Sequence, residues 1–137
     1  MAILHESVAR GIFCVGAHCL VARGKGESFS HLPGGHVEAG ENPANALVRE
    51  IREELGRDIS DMQYLGQLEN TYDRGGDTIY EVNHLFRARL YPPMREEALP
   101  QAKEDHLSFR WVPIQDLEAE RLMPPAIIPY VVGVGGM

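Results

Sequence analysis

The sequence predicts an α+β fold, an α/β/α sandwich in which a mixed β-sheet is flanked by helices. Strand-like runs precede and follow a single well-bounded helix, and several of them are joined by short, hairpin-type turns. The chain has no internal repeat, low-complexity tract or long linker. Its 137 residues, of which 44% are hydrophobic, therefore predict one domain, residues 1–137, that buries its own core.

The first predicted element is a β-hairpin. The runs Ser7–Val15 and His18–Arg23 consist mostly of β-forming or small residues, with a two-residue turn between them. This arrangement places Cys14 and Cys19 opposite each other on neighbouring strands. Because their spacing does not match a zinc site, we expect two reduced thiols that line the core.

A short strand and the main helix come next. Phe29–Leu32 is expected to form a strand that ends where a proline and two glycines break the pattern. Asn42 can cap a helix and Pro43 is tolerated in its first turn, which predicts a helix that runs to about Leu55. Gly56 then predicts the end of this helix, because glycine adopts the left-handed conformation readily.

The second half of the chain is expected to continue with strands and to close with helices. Runs of β-branched, aromatic and aliphatic residues predict the strands, and Gly, Pro or polar stretches predict the connections. In order, these elements are a strand over Met62–Tyr72, a turn at Gly75 and Gly76, a strand over Thr78–Tyr91, a loop over Met94–Asp105, a strand over His106–Val112, and short helices over Ile114–Glu120 and Pro125–Val132.

The charge of the chain limits its classes of partner. A formal net charge of −7 argues against a nucleic-acid binder, because such proteins bring Lys and Arg to the phosphates. No segment is apolar enough to cross a bilayer or ordered like a signal peptide, so we expect a soluble, cytoplasmic protein without a membrane partner. If this acidic protein acts on phosphates, a divalent cation held by carboxylates can supply the compensating charge.

The main helix has an apolar face and an acidic face, given its advance of about 100° per residue. The apolar face contains Ala44, Leu47, Val48, Ile51 and Leu55, and the acidic face contains Glu50, Glu53 and Glu54. Clustered carboxylate oxygens suit a hard cation such as Mg²⁺, Mn²⁺ or Ca²⁺. A solvated face is the simpler explanation for a glutamate pair alone, but a glycine-rich turn and an acidic loop precede these carboxylates in one segment.

Residues 34–56, GGHVEAGENPANALVREIREELG, resemble the Nudix box G-x5-E-x7-R-E-U-x-E-E-x-G-U, in which U is aliphatic. The positions that match without insertion or deletion are Gly35, Glu41, Arg49, Glu50, Ile51, Glu53, Glu54 and Gly56. The final aliphatic position is instead Arg57, and Ile59 is available to supply the missing apolar contact. The order of predicted elements is similar to the Nudix fold over nearly the whole chain.

This resemblance implies a metal-dependent hydrolase that cleaves a phosphoanhydride bond of a nucleoside diphosphate linked to another moiety. The implied cofactor is Mg²⁺ or Mn²⁺, and the implied substrate is a small nucleotide. Glu50, Glu53 and Glu54 would bind the metal. Gly34 and Gly35 would let the loop bend sharply and approach the metal and the substrate.

The resemblance also implies the remaining catalytic roles. Glu53, or another box carboxylate such as Glu50, would accept the proton of the attacking water. Arg49 would orient the glutamates by charge-assisted hydrogen bonds. An acidic residue in the loop before the last strand, Glu104 or Asp105, would assist the metal or the base, with an ordinary solvated loop as the alternative.

Substrate contacts outside the box are hypotheses with simpler alternatives. Arg23, Arg74 and Arg87 could contact phosphates, whereas surface solubility is the simpler explanation for each. Tyr72 and Tyr80 could stack on a nucleobase, although aromatic residues in strands more often pack within the protein.

The resemblance leaves several activities open. A MutT-like nucleoside triphosphate pyrophosphohydrolase is preferred because the chain is short. Alternatives are hydrolysis of ADP-ribose, another nucleotide sugar or a dinucleoside polyphosphate, and a non-catalytic Nudix domain that senses a nucleotide. The intact glutamates argue against the sensor. A homodimer is possible because many relatives dimerise.

Overall fold

The computed structural model describes residues 1–95, 98 and 100–135 of the chain. Within these ranges the strands and α-helices are, in chain order, β1 (Ile3–Ile12), β2 (Cys14–Val15), β3 (His18–Gly24), β4 (Gly34–His36), α1 (Pro43–Leu55), β5 (Asp58–Arg74), β6 (Asp77–Tyr91), β7 (Leu107–Pro113) and α2 (Ile128–Gly135). None of the helices described here is long and apolar enough to cross a bilayer.

The strands form two sheets. The larger sheet has the order β4-β1-β6-β5 and is mixed, because β1 and β6 are parallel while the other neighbours are antiparallel. The smaller sheet has the order β2-β3-β7 and is antiparallel. Side chains of both sheets share one buried cluster with α1 and another with α2. The predicted α+β fold, a mixed sheet flanked by helices, is confirmed.

Helix α1 begins and ends where the sequence predicts. The Asn42 side-chain oxygen accepts a hydrogen bond from the Asn45 N–H at 2.8 Å, and Gly56 has a φ of 66°. Leu47 and Ile51 are fully buried, as their spacing predicts. The buried face is nevertheless rotated slightly from the expected one. Ala46 is buried, whereas Ala44 and Val48 are half-buried, because α1 packs against side chains of both sheets.

The N-terminal hairpin is shorter than the sequence predicts. Of the predicted run Ser7–Val15, only the part that forms β2 pairs with β3, with Cys14 opposite Cys19 as expected. The longer run before it, β1, instead pairs in parallel with β6 and antiparallel with β4. The chain changes sheets at Phe13, whose side chain is buried in the core. A local turn signal reports only an antiparallel neighbour, so it could not reveal the parallel partner of β1.

The prediction of a short strand over Phe29–Leu32 is wrong. Residues within it make only isolated bridges, and β4 lies slightly later, at the glycine pair that was expected to break the pattern. Gly34 has a φ of 135°, and a Cβ atom there would collide with the Ala9 carbonyl of β1. The missing side chain therefore allows β4 to approach β1 closely.

The C-terminal helices also differ from the expected ranges. Instead of a helix over Ile114–Glu120, the chain forms a short 3₁₀ helix over Ile114–Asp116 followed by turns. Leu117 and Leu122 are both buried in one cluster, although a regular helix would place residues five apart on different sides. The last predicted helix is formed by a 3₁₀ turn over Pro125–Ile127 and then by α2, which extends beyond Val132.

The loop expected over Met94–Asp105 contains no helix or strand among the residues that are described there. Glu96, Glu97 and Leu99 lie outside the described residues. The Lys103 N–H donates a hydrogen bond to the Glu54 carbonyl oxygen at 2.7 Å. This bond attaches the loop to the end of α1.

Candidate functional site

Arg49 connects the loop before α1 to the carboxylates on the helix. Its Nε and Nη2 groups donate to the two carboxylate oxygens of Glu41 at 2.9 and 3.0 Å. Nη2 also donates to the His36 carbonyl oxygen at 2.9 Å. Nη1 donates to Glu50 at 3.0 Å and to Glu53 at 3.3 Å. These bonds raise the pKa of Arg49 further, so the guanidinium is a permanent cation that orients the glutamates.

The two glycines at the start of the box lie directly beside the helix carboxylates. The Gly34 N–H donates to a carboxylate oxygen of Glu54 at 3.3 Å. A Cβ atom on Gly35 would lie 2.6 Å from the carboxyl carbon of Glu50, which is too close for an undisturbed contact. The chain therefore needs glycine at this position for β4 and the Glu50 carboxylate to lie side by side.

Glu54 is buried, although the sequence predicts that it lies on the acidic face of α1 and not on the apolar one. Only 3% of the residue is exposed. Burial, followed by the nearby Glu50 charge, raises the pKa of Glu54 to about 8. Burial also raises the pKa of Glu50. Glu53, by contrast, has a side chain that is 52% exposed. The three glutamates therefore have three different environments on one helix.

The carboxylates do not converge as fully as their spacing predicts. Within residues 1–95, 98 and 100–135, no group of three or more His, Cys, Asp or Glu side chains is arranged to hold a metal ion. Glu53 is drawn towards Arg49, while Glu54 turns inward to Gly34. The donor chemistry still fits a hard divalent cation, because the donors are oxygens and the carboxylates of buried Glu54 and half-buried Glu50 lie near each other with raised pKa values.

The loop before β7 brings Glu104 towards the helix. Its charge is one of the neighbours that raise the pKa of Glu54, and its carboxylate lies 3.3 Å from Nε2 of His106. Asp105 is exposed to solvent. Of the two acidic residues that the sequence left open, Glu104 is the one with an electrostatic connection to the helix carboxylates.

A cavity of about 720 Å³ lies on the face of the larger sheet beside β4. Tyr72, Asn70 and Glu81 line the sheet side. Phe29 and Met123 belong to segments that line it from outside the larger sheet. The cavity thus combines a polar, charged wall with apolar side chains, which suits a nucleotide.

The sequence-predicted residues lie in different places relative to this cavity. Tyr72 lines it, whereas Tyr80 lies elsewhere and stacks on His5. Arg23 is not one of the lining residues, because its guanidinium donates to the Ser30 hydroxyl at 3.3 Å and lies 3.6 Å from the Glu120 carboxylate. Arg23 therefore contacts residues next in sequence to Phe29 and Arg121, which line the cavity, and does not line it itself.

Arg10 is a residue of this site that the sequence reasoning missed. It lies on β1, lines the cavity and donates from Nη1 to the Leu32 carbonyl oxygen at 3.1 Å. Burial lowers the pKa of Arg10, while the charges of Glu81 and Glu54 oppose that change. The signal in the sequence was a single arginine within a strand whose neighbours are small or apolar, but only the fold brings it near the box.

Comparison with known proteins agrees with this geometry. The family profile for the NUDIX domain matches residues 5–130, which is most of the chain. The chain belongs to the Nudix family. A Mycobacterium tuberculosis protein with the provisional name 8-oxo-dGTP diphosphatase 2 is 33% identical over 123 residues, covering 84% of this chain and 78% of that protein.

Solved structures of Nudix proteins share the fold. A MutT Nudix hydrolase from Burkholderia pseudomallei superposes with a TM-score of 0.73 at 20% identity, covering 93% of this chain and 98% of that chain. A MutT protein from Bacillus halodurans superposes with a TM-score of 0.71 at 16% identity, covering 96% and 83%. The family predicted from the box is confirmed. The protein is a MutT-like Nudix hydrolase, an enzyme that acts on acid anhydrides of small nucleotides.

Proposed function

We propose that this Nudix hydrolase converts a nucleoside triphosphate to the monophosphate and pyrophosphate, with Mg²⁺ or Mn²⁺ as its cofactor. The observation that carries the proposal is the position of the cavity of about 720 Å³, which is lined by Arg10, a residue on which the charges of Glu54 and Glu50 on α1 also act. The name of the M. tuberculosis relative, an 8-oxo-dGTP diphosphatase, supports a triphosphate substrate. A cytoplasmic location agrees with the unbridged Cys14 and Cys19. Dimerisation stays a prediction.

The divalent ion would be held by Glu50, Glu53 and Glu54, with Gly35 leaving room beside the Glu50 carboxylate. When bound, such an ion neutralises phosphate charge and makes a water molecule more acidic. Among the residues that the structure describes, only Arg49 contacts the exposed Glu53 side chain through hydrogen bonds or ion pairs, so Glu53 can reorient. Ionised Glu54 is unfavourable without a nearby cation, which supports a role for this residue in holding one.

The proton and orientation steps are assigned to side chains of this chain. Glu53 would accept the proton of the attacking water, since it is the most solvent-accessible of the three helix glutamates. Arg49 would fix the positions of Glu50 and Glu53 relative to the loop before α1, because it also donates hydrogen bonds to Glu41. Glu104 would add negative charge next to Glu54 and so favour the cation.

The nucleoside would occupy the cavity. Tyr72 offers an aromatic face and Asn70 an amide, while Phe29 and Met123 are available to contact a base from outside the larger sheet. Gly34 and Gly35 would border the phosphates, because β4 contacts α1 and its last residue, His36, lines the cavity. Arg23 would act indirectly, through Ser30, unless the substrate extends beyond the cavity.

The test is product analysis with a panel of nucleoside triphosphates, oxidised deoxynucleoside triphosphates, nucleotide sugars and dinucleoside polyphosphates. Each is incubated with Mg²⁺, with Mn²⁺ and with EDTA. We expect metal-dependent release of pyrophosphate from a triphosphate. Turnover of a nucleotide sugar or dinucleoside polyphosphate instead would replace the substrate assignment. Nucleotide binding without any turnover would favour the sensor alternative.

A further inference from the structure

Arg10 is a charged residue on the cavity side of β1, in the second half of the strand, where most residues are buried. Its neighbours Val8, Ala9 and Ile12 are at most 1% exposed. The parallel register with β6 aligns Glu6 with Glu81 and Arg10 with Leu85, so Arg10 and Glu81 lie on one face of the sheet. This is the face that carries the cavity.

The hydrogen bonding of Arg10 is incomplete. A guanidinium has five N–H donors, yet among the described residues only the Nη1 group of Arg10 has partners. One partner is the Leu32 carbonyl oxygen, at 3.1 Å. The other is His31 Nδ1, at 3.4 Å, but this nitrogen is also 2.9 Å from the same carbonyl. A protonated Nδ1 that donates to Leu32 cannot accept from Arg10, which leaves the carbonyl as the acceptor.

The charge of Arg10 is equally unpaired. Glu81, Glu54 and Glu50 influence its pKa, but none of them forms an ion pair with it in the described part of the chain. Of the two other arginines that line this cavity, Arg74 is paired with a carboxylate, whereas Arg121 is exposed to solvent. Arg74 donates to Glu6 at 2.7 Å, and Arg121 donates to the Ser28 hydroxyl at 3.2 Å. Arg10 is half-buried, and a cation that has lost part of its hydration and has free donors is stabilised when an anion binds to it.

We propose that Arg10 binds the substrate phosphate attached to the nucleoside, and so sets which anhydride bond reaches the carboxylates of α1. The inference rests on the proposed function, because it assumes a nucleotide in the cavity. The free Nε and Nη2 donors form the planar fork that matches two phosphate oxygens. Arg10 lines the cavity together with Tyr72, and the charges of Glu54 and Glu50 on α1 act on it, so a phosphate bound to Arg10 would be near both the nucleoside and these carboxylates.

The experiment measures binding in EDTA, where hydrolysis does not contribute. The probes are dGMP and deoxyguanosine, titrated by calorimetry into the wild type, Arg10→Met, Arg10→Lys and Arg74→Met. We expect the wild type to bind dGMP at least about tenfold more tightly than deoxyguanosine, as is typical of hydrogen bonds to a charged group. In Arg10→Met this preference should fall to about one, with deoxyguanosine affinity unchanged.

The two other variants separate phosphate binding from a structural role. Arg10→Lys keeps the charge without the planar fork and should retain part of the preference. Arg74→Met removes a guanidinium from the same cavity, but this guanidinium already donates to Glu6. We therefore expect Arg74→Met to retain the full preference for dGMP. Unchanged deoxyguanosine affinity shows in each case that the variant is folded.

The results also distinguish the two proposals. If Arg10→Met binds dGMP with the wild-type preference, or if the wild type shows no preference for the phosphate, the role of Arg10 is overturned. That result leaves the triphosphatase proposal standing where the panel shows turnover. If the preference depends on Arg10 but nothing in the panel is hydrolysed, the phosphate site stands and the proposed reaction fails.

Discussion

Replacement of Glu54 by glutamine should stabilise the fold while it removes activity. The pKa of Glu54 is raised from 4.5 to about 8, first by burial and then by Glu50. Folding therefore takes up a proton between these pH values. The stability that this proton contributes is fully present below pH 4.5 and is lost as the pH rises through about 8. A glutamine side chain has the same shape as that of glutamate and stays neutral, and its oxygen can still accept the hydrogen bond from the Gly34 N–H.

The size of the effect follows from the shift in pKa. At about 1.4 kcal/mol per unit, the difference between 4.5 and about 8 sets an upper limit of about 5 kcal/mol for the gain in Glu54→Gln above pH 8. Water entry and local relaxation reduce the cost of an ionised buried group, so the gain should be smaller. Half of that limit would raise Tm by about 8 °C, because 1 kcal/mol shifts Tm by about 3–4 °C in a domain of this size.

The assay is thermal unfolding in EDTA from about pH 4.5 to about 9, for the wild type, Glu54→Gln and Glu118→Gln. Glu118 is an exposed glutamate, so its variant is the matched control. The wild type and Glu54→Gln should have the same Tm at the lowest pH, and the difference between their Tm values should grow as the pH rises. Added Mg²⁺ should stabilise the wild type more than Glu54→Gln, since a cation favours the ionised carboxylate. A constant difference in Tm across this pH range would refute the reasoning.

Three other changes test the site and the core. Glu53→Gln should lower kcat by about 10²–10⁴-fold with Tm unchanged, because its exposed side chain is proposed to act as the base; wild-type turnover would contradict this role. Leu47→Ala should lower the free energy of unfolding by roughly 2–5 kcal/mol, because Leu47 is fully buried, and an unchanged denaturation midpoint would show that its packing is misassigned. His31→Asn should reduce the loss of folding stability at acid pH. Burial lowers the pKa of His31 from 6.5 to about 4, so the stability present above pH 6.5 is lost as the pH falls through about 4. Equal acid sensitivity of the two proteins in thermal unfolding would count against that assignment.

The sequence by itself determined the family and the main helix. Asn42, Pro43 and Gly56 act within one or two turns of chain, so their effect on α1 could be predicted without the rest of the fold. The spacing of the box residues likewise places Arg49 next to Glu53, because residues four apart on a helix are neighbours.

Only the tertiary structure decided where these groups lie relative to solvent and to the rest of the chain. Helical spacing could not distinguish exposed Glu53 from buried Glu54, because Glu54 is covered by β4, which pairs with a strand that is distant in sequence. Arg10 joined the site for the same reason, through the parallel pairing of β1 with β6. Burial and charge environment depend on contacts between distant segments, and a local pattern of residues does not contain them.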